Sequence, residues 1–583
     1  MRKIWKTAVS LMCLMTVCSS VACGPTLTPN EQNSGNSGRL YSIKVAVSNA
    51  GFGLEWARKL ANDYNELNAD SDYGIEIIDY GIKWADSVVS DLKSGTDNQI
   101  YINAGTEITS AIYQDYLEDL SDILDDKVDG ESGGTLQDKI RNYDLWKSTY
   151  SKYGEGVYAM PYSSAVVGMV IDHKEFIDNG WYLFAGVNDK EALTAQGVTF
   201  TETSSGLAFV SSTTDIGYKE GDRILTAGKD GKYGTYDDGQ PQTYQEFNDM
   251  LKRISLTAKP FICGGGVADY IDHIFNSIFA QYAGVEDYAT FYDYNSDGKE
   301  VSLAGGVKEI ITVDNGYKVY QMEALTKAYE VVDYWFDYTS GVAADYAHPA
   351  CRNTSASQYD TQNLFLLGYK GATSNPKSAI MIEGTWWENE ATAMFNSLDN
   401  VNRGKGDREY RFLMLPTFDG QKDTKSCLST GSTGVMVVKK DSNEERLNET
   451  KKFLKFLLKE ESLRTITEMT GDILGYKYEL TAENRAKMTP FQYQTFDLYQ
   501  DSENIRIVQQ RLDNITSPLT FASDKGSNNL LHPVVSGVFP RHCLEATKQY
   551  TISQITEGLK VRYKAEKWAE YVAQARKNGF FGN

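Results

Sequence analysis

The stretch SIKVAVSNAGFGLEWARKLANDY, Ser42–Tyr64, decides the fold class. Ser42–Val47 alternates and is rich in β-branched residues, the pattern of a strand. A turn holding Gly51 and Gly53 follows, and Leu54, Ala57, Leu60, Ala61 and Tyr64 then recur at helical spacing. The same order repeats downstream. Ile75–Asp79 reads as a second strand, Ala85–Leu92 as a short helix and Gln99–Ile102 as a third strand, and a helix carrying Ile112, Tyr116 and Leu120 comes next. This alternation predicts an α/β fold built on a mostly parallel sheet. Ligands of such sheets sit beyond the carboxyl ends of the strands, which makes Phe52 in the first turn and Asn103 after the third strand candidate binding residues.

Further along, YGEGVYAMPY (Tyr153–Tyr162) precedes the apolar run Ala165–Ile171 and a helical start at Asp172. SAIMIEGTWW (Ser378–Trp387) reads as a buried strand ending in two tryptophans, and Arg411–Pro416 as a short strand closed by proline. STGSTGVMVV (Ser429–Val438) reads as a Gly/Ser turn feeding a strand, before a helix with Leu447, Phe453, Leu454, Leu457 and Leu458 on one side. Leu544–Lys577 reads as helical, with Gly558 a candidate break.

The chain opens with Arg2, Lys3 and Lys6 and an apolar stretch Ala8–Val17 too short to span a bilayer. Ser20-Val21-Ala22-Cys23 resembles a bacterial lipobox, with Ser20 where leucine is usual. The polar run Gly24–Gly38 is the composition of a flexible tether. These features predict a signal peptide over 1–22, lipid attachment at Cys23 and a tether over 23–40. An ordinary secretory signal with an incidental cysteine, or an uncleaved anchor, is the competing reading. No later apolar run reaches about 18 residues, so membrane contact is expected through the lipid alone.

A chain of 583 residues exceeds the ~250–300 at which one hydrophobic core stops growing, so two lobes or more are expected. The net charge of −21 leaves no basic footprint for nucleic acid. Past Cys23, Cys263, Cys351, Cys427 and Cys543 lie far apart, with no CxxC pair, and read as mostly buried thiols, a disulfide among them being the competing reading that export permits. The five histidines show no zinc-hydrolase spacing.

The ordered series YGxxYAxPY, AIMIEGTWW, LP and STGSTGVMVV with its helix resembles the family 1 extracellular solute-binding proteins of ABC transporters, the group containing the maltose-binding proteins. The resemblance spans roughly residues 41 to 583. It implies two α/β lobes joined by hinge strands, with 41–162 and 425–480 forming lobe 1, and 163–424 and 481–583 forming lobe 2 with the C-terminal helices. Residues 177–376 are long for the family and carry inserted-looking loops. The resemblance also implies a carbohydrate ligand in the cleft, ABC permease subunits as partners, a monomer, and residence on the extracellular face of the membrane.

A sugar site needs flat aromatics for C–H faces and fixed polar groups for hydroxyls. Trp386 takes the cleft-aromatic role by the resemblance; Trp387 either joins it or packs into the lobe. Tyr162, Ser163 and Ser164 lie where the family's chain first crosses between lobes, and are read as ligand contacts or as plain hinge. Ser432 and Thr433 line the cleft if their turn faces it. Glu388 and Glu390 are candidate hydroxyl acceptors or helix-start charges.

The loop Asp230–Gly239, with Asp230, Asp237 and Asp238, and Asp222 upstream, is a candidate structural calcium site or a solvated turn. Asp293–Gly298 copies half an EF-hand loop, but its twelfth position is Ala304, so a plain turn is favoured. No nucleophile elbow, metal triad or phosphate loop is present; Gly264-Gly265-Gly266 lacks the spacing. A non-catalytic binder is therefore preferred over a surface polysaccharide-binding or glycoside-hydrolysing lipoprotein.

Overall fold

The alternating segments form strands β1 (Tyr41–Val47), β2 (Tyr73–Asp79) and β3 (Asn98–Ile102), with β1 parallel to both neighbours. The computed structural model describes residues 39–508 and 542–577, apart from 50, 82, 84, 106–107, 153, 185–199, 203–207, 211–224, 233, 337–345, 368–376, 400–403 and 562–563. The signal segment, Cys23 and Asp222 lie outside the described residues. Helix α1 (Glu55–Leu67) buries Trp56, Ala57, Leu60, Ala61 and Tyr64, the face its spacing predicts.

Six further strands complete the main sheet: β4 (Met160–Asp172), β5 (Lys259–Ile262), β6 (Ser378–Gly384), β7 (Tyr410–Leu413), β8 (Ser426–Val438) and β9 (Ile505–Val508). Among the described residues they form a nine-stranded sheet in the order β2-β1-β3-β8-β4-β6-β5, with β7 also on β4 and β9 also on β8.

The two 13-residue strands β4 and β8 run antiparallel and belong to both halves of the molecule. At one end Met160 and Pro161 face Met436 and Val435, and β8 also pairs with β3. At the other end Val166 and Val167 face Thr430 and Ser429, and β8 pairs with β9 while β4 pairs with β6. The first half, lobe 1, has one core, in which Val45, Ile75 and Ile100 of the sheet meet Trp56, Leu60 and Leu454 of the helices. In lobe 2 the two faces of β4 serve separate cores, as a period of two requires. Val167, Met169 and Ile171 pack with Phe275 and Phe279 of helix α2 (Asp269–Asp293). Val166 and Val170 pack with Met381, Trp387 and Phe412.

Several local expectations are corrected. Ser429–Gly434 is not a turn: β8 runs through it, with register shifts between Thr430 and Ser432 and between Thr433 and Val435. The helix after β3 is only Thr109–Tyr113, because Asp115 turns left-handed at φ 59° and Leu117 joins a bridge to Lys439. The C-terminal helix is three, Cys543–Gln549, Ile552–Lys560 and Ala565–Lys577, and Gly558 is buried inside the second instead of breaking it. Asn295–Gly298 is a turn, with Asp297 and Gly298 at positive φ, leading into a hairpin of Glu300–Leu303 and Val307–Ile310.

Candidate ligand-binding cleft

The carboxyl ends of β1 and β3 in lobe 1 point toward lobe 2, and those of β5 and β6 carry lobe 2's side of the cleft. In the first turn the Phe52 N–H donates to the Asn49 carbonyl at 2.9 Å, and the Gly53 N–H donates to Asn49 Oδ1 at 2.8 Å. Gly51 and Gly53 take φ of 88° and 78°, which residues with a Cβ resist. The tight turn drives Phe52 outward. It is 7% exposed and packs in lobe 2's core cluster with Ala165, Val167 and Trp386, so a lobe 1 side chain closes onto lobe 2. A second contact joins the lobes where Asn389 Nδ2 donates to the Thr470 carbonyl at 2.5 Å.

Beyond β6 the chain turns sharply, and the edge of Trp386 folds back over Gly384, where a Cβ would meet its ring at 2.3 Å. Trp386 stands edge-on to Tyr270, with ring centroids 5.9 Å apart and planes at 72°. Glu383 and Glu390 lie beside this corner, and the Gln362 amide of helix α3 (Gln358–Leu367) donates to both, at 3.2 and 3.0 Å. Burial, then the neighbouring Glu390, raises the Glu383 carboxyl well above the usual range; burial pushes Glu390 up to about 7. Tyr270 is raised by burial and by the same two carboxylates. Gly51 lies against Glu390 from the opposite lobe.

The predicted residues separate in space. Trp386 and Phe52 belong to the same core cluster, on lobe 2's side of the cleft. Trp387 is a core residue, 0% exposed, ringed by Tyr410, Phe395, Phe491 and Phe365. Tyr162 is buried in lobe 1, stacked on Trp56 at 5.5 Å. The Ser163 hydroxyl donates to Asp472 Oδ1 at 2.9 Å, a hinge brace, and burial pushes Asp472 up to about 7. Ser164 alternates to the face of Val166 and lines a cavity of about 170 Å³ with Trp146, Tyr150, Tyr288 and Tyr499, none of them a predicted ligand contact.

Asn103 follows β3 at φ 60°, a conformation asparagine tolerates, and its buried Oδ1 points at Gly434 with no partner among the described residues. The backbone of Ser432 lies in the crossing strand opposite Ala165; its side chain and that of Thr433 lie outside the described residues. Glu388 turns away to bond the Thr489 hydroxyl at 2.5 Å.

The acidic loop is internally capped. Asp237 Oδ2 accepts from the Lys229 and Asp230 amides at 2.6 and 3.1 Å, and its Oδ1 from the Thr235 hydroxyl at 2.9 Å. Asp238 Oδ2 accepts from the Gly234 amide at 2.7 Å. Among the described residues, no three His, Cys, Asp or Glu side chains gather as a metal would need. Cys263, Cys351, Cys427 and Cys543 are buried free thiols.

Tyr270, Glu383 and Gln362 were not foreseen. One signal was a glutamate inside the apolar run of β6. Another was Gly264-Gly265-Gly266, where a Cβ would meet carbonyls of Asn353, Thr354 and Ala356 at 2.7–2.9 Å. The glycines let the chain lie flat against the segment that leads into α3, and so bring Tyr270 and Gln362 to one place.

No protein-family model matches the sequence, and no curated protein does. The fold is similar to the crystal structure of a probable secreted solute-binding lipoprotein from Streptomyces coelicolor, at TM-score 0.51 and 10% identity over 90% of this chain and 98% of that one. It is also similar to a chitin oligosaccharide binding protein, at TM-score 0.51 and 12% identity over 91% of this chain and 99% of that one. The chain has the two-lobed fold of the solute-binding proteins.

Proposed function

We propose that the protein captures a carbohydrate, an oligosaccharide, between its lobes and passes it unaltered to the permease subunits of an ABC importer. It works as a monomer on the extracellular face of a bacterial cytoplasmic membrane, held by lipid on Cys23 and the tether that follows. The observation that carries this reading is Phe52 of lobe 1 seated in the hydrophobic core of lobe 2 that also holds Trp386, across two strands shared by both lobes. Such a contact can break and re-form about β4 and β8, the motion a hinge requires. One similar structure is a chitin oligosaccharide binding protein and another a probable secreted solute-binding lipoprotein, which supports the same class of ligand and setting here.

The chemistry suits the ligand. Trp386 and Tyr270 offer flat faces to sugar C–H surfaces, and Glu383, Glu390 and Asn103 offer acceptors to hydroxyls. A sugar touching both lobes stabilises the closed form by its differential affinity, and the closed form docks on the permease. The tether keeps the binder near the membrane at high effective concentration. Calorimetric titration against neutral oligosaccharides, with solution scattering of free and loaded protein, tests this. Compaction on loading and at least ~tenfold weaker binding by Trp386→Ala, about 1.4 kcal/mol, are expected. Turnover of the saccharide, or no change in dimensions on binding, refutes it.

A further inference from the structure

Two of the buried thiols are drawn together by the backbone. Phe261 of β5 donates its N–H to the Tyr346 carbonyl and accepts from the His348 N–H, both at 2.8 Å, so Tyr346–His348 runs alongside the strand. The chain then coils tightly through Pro349–Arg352, where the Cys351 N–H donates to the His348 carbonyl at 2.9 Å. That coil folds Cys351 back to the end of β5, and the Cys263 N–H donates to Cys351 Sγ at 3.3 Å. The two thiols also bond each other, and this contact, with burial, raises the Cys263 thiol well above its ordinary range.

The other two thiols are engaged elsewhere. Cys427 Sγ donates to Asp423 Oδ2 at 3.9 Å. Cys543 lies near Cys263, but its thiol turns to Asp272, whose Oδ1 also accepts its N–H at 2.7 Å. Of the four, Cys263 and Cys351 are the pair that meets sulfur to sulfur. Cys351 also lines a cavity of about 440 Å³ with Gly265, Arg352, His542 and Lys548, which gives a small thiol reagent a route to its sulfur.

We propose that Cys263 and Cys351 are a disulfide-forming pair, bridged in the oxidising surroundings that an exported chain meets. The structure shows the pair reduced. The bridge forms by exchange with a small-molecule disulfide that enters the cavity. Cys351 gives up its proton and its sulfur attacks one sulfur of the reagent, releasing the other as a thiol. Cys263 then gives up its proton and attacks the Cys351 sulfur of the mixed disulfide, releasing the second thiol. The reagent's S–S bond is exchanged for the Cys263–Cys351 bond, and two protons and two electrons end on the reagent. The bridge closes a loop spanning 88 positions that contains helix α2 and Tyr270. It pins that loop next to Gly264–Gly266, the stretch packed flat on residues 353–356. Across so long a loop, a bond restricts the unfolded chain and favours the folded one.

The test incubates the folded full chain with oxidised glutathione, blocks the remaining thiols with iodoacetamide in denaturant, and maps tryptic peptides without reduction. A peptide pair joining Cys263 to Cys351 is expected, with Cys427 and Cys543 each blocked. Dithiothreitol is expected to lower the Tm of the oxidised protein by ~5 °C or more, and Cys263→Ser and Cys351→Ser are each expected to abolish both the joined pair and that shift. If a variant fails to fold, the wild-type map decides. Recovery of Cys263 and Cys351 as blocked thiols after oxidation, or of Cys263 joined to Cys543, overturns the proposal. The buffer itself sets the redox state, so such a failure leaves the export and carbohydrate readings standing.

Discussion

Trp386 and Trp387 are adjacent in sequence and opposite in role, and replacing each by alanine separates the two jobs. The Trp387 ring is fully buried, at 4.8 Å from Tyr410 with planes at 89°, 5.5 Å from Phe395, 5.9 Å from Phe491 and 6.3 Å from Phe365. Truncating a buried tryptophan costs about 3–5 kcal/mol through lost transfer energy and the cavity left behind. The edge-on contacts, each worth roughly 0.5–1.5 kcal/mol beyond area, put Trp387→Ala toward the upper end of that range. At about 2–4 °C per kcal/mol for a domain of this size, its Tm should fall on the order of 10 °C. Trp386→Ala, at the cleft edge beside Tyr270, should cost less stability and far more affinity. Urea unfolding and calorimetric titration of both variants provide the assay. The reasoning fails if folded Trp387→Ala lies within ~1 kcal/mol of the parent, or if it weakens ligand as much as Trp386→Ala does.

Asp472→Asn should change how stability depends on pH. Burial raises the Asp472 carboxyl from 3.8 to about 7, so it stays protonated in the folded chain while the unfolded chain ionises. Its contribution therefore becomes unfavourable as pH rises from about 4 to 7, reaching on the order of 4 kcal/mol. The stability of the variant relative to the parent, by urea unfolding at pH 4.5 and 7.5, should rise with pH; a difference independent of pH contradicts this. Chelation by EDTA should leave Tm unchanged, since both Asp237 oxygens already accept bonds within the loop; a drop of several degrees would restore a metal there. Gly434→Ala should cost roughly 1–3 kcal/mol, because a Cβ would fall 2.2 Å from Asn103 Oδ1 and 3.1 Å from the Tyr162 ring. A Tm equal to the parent's would show that the crossing strand gives way freely.

The elements of lobe 1 were legible because each carries its own periodicity. Ser42–Val47 and Leu54–Tyr64 announce strand and helix through spacings that no distant contact needs to impose. The turn at Asn49–Gly53 was equally plain, and with it the placement of Phe52 at a strand's carboxyl end. Ser429–Gly434 misled, because glycine and serine mark turns in isolation, while here they let β8 bulge as it crosses between lobes. The pair Trp386-Trp387 could not be divided from its letters, since adjacent positions at a strand end differ only in which side the fold covers.

Local spacing along the chain was sufficient to specify the α/β class, because helix and strand periods are properties of neighbouring residues. The cleft's composition came from elsewhere. Tyr270, Gln362, Glu383 and Glu390 span more than a hundred positions, and they meet because Gly264–Gly266 packs flat on the backbone of residues 353–356 and β5 runs parallel to β6. Long-range packing of that kind leaves no period in the sequence, and only the folded chain shows which distant side chains share one wall.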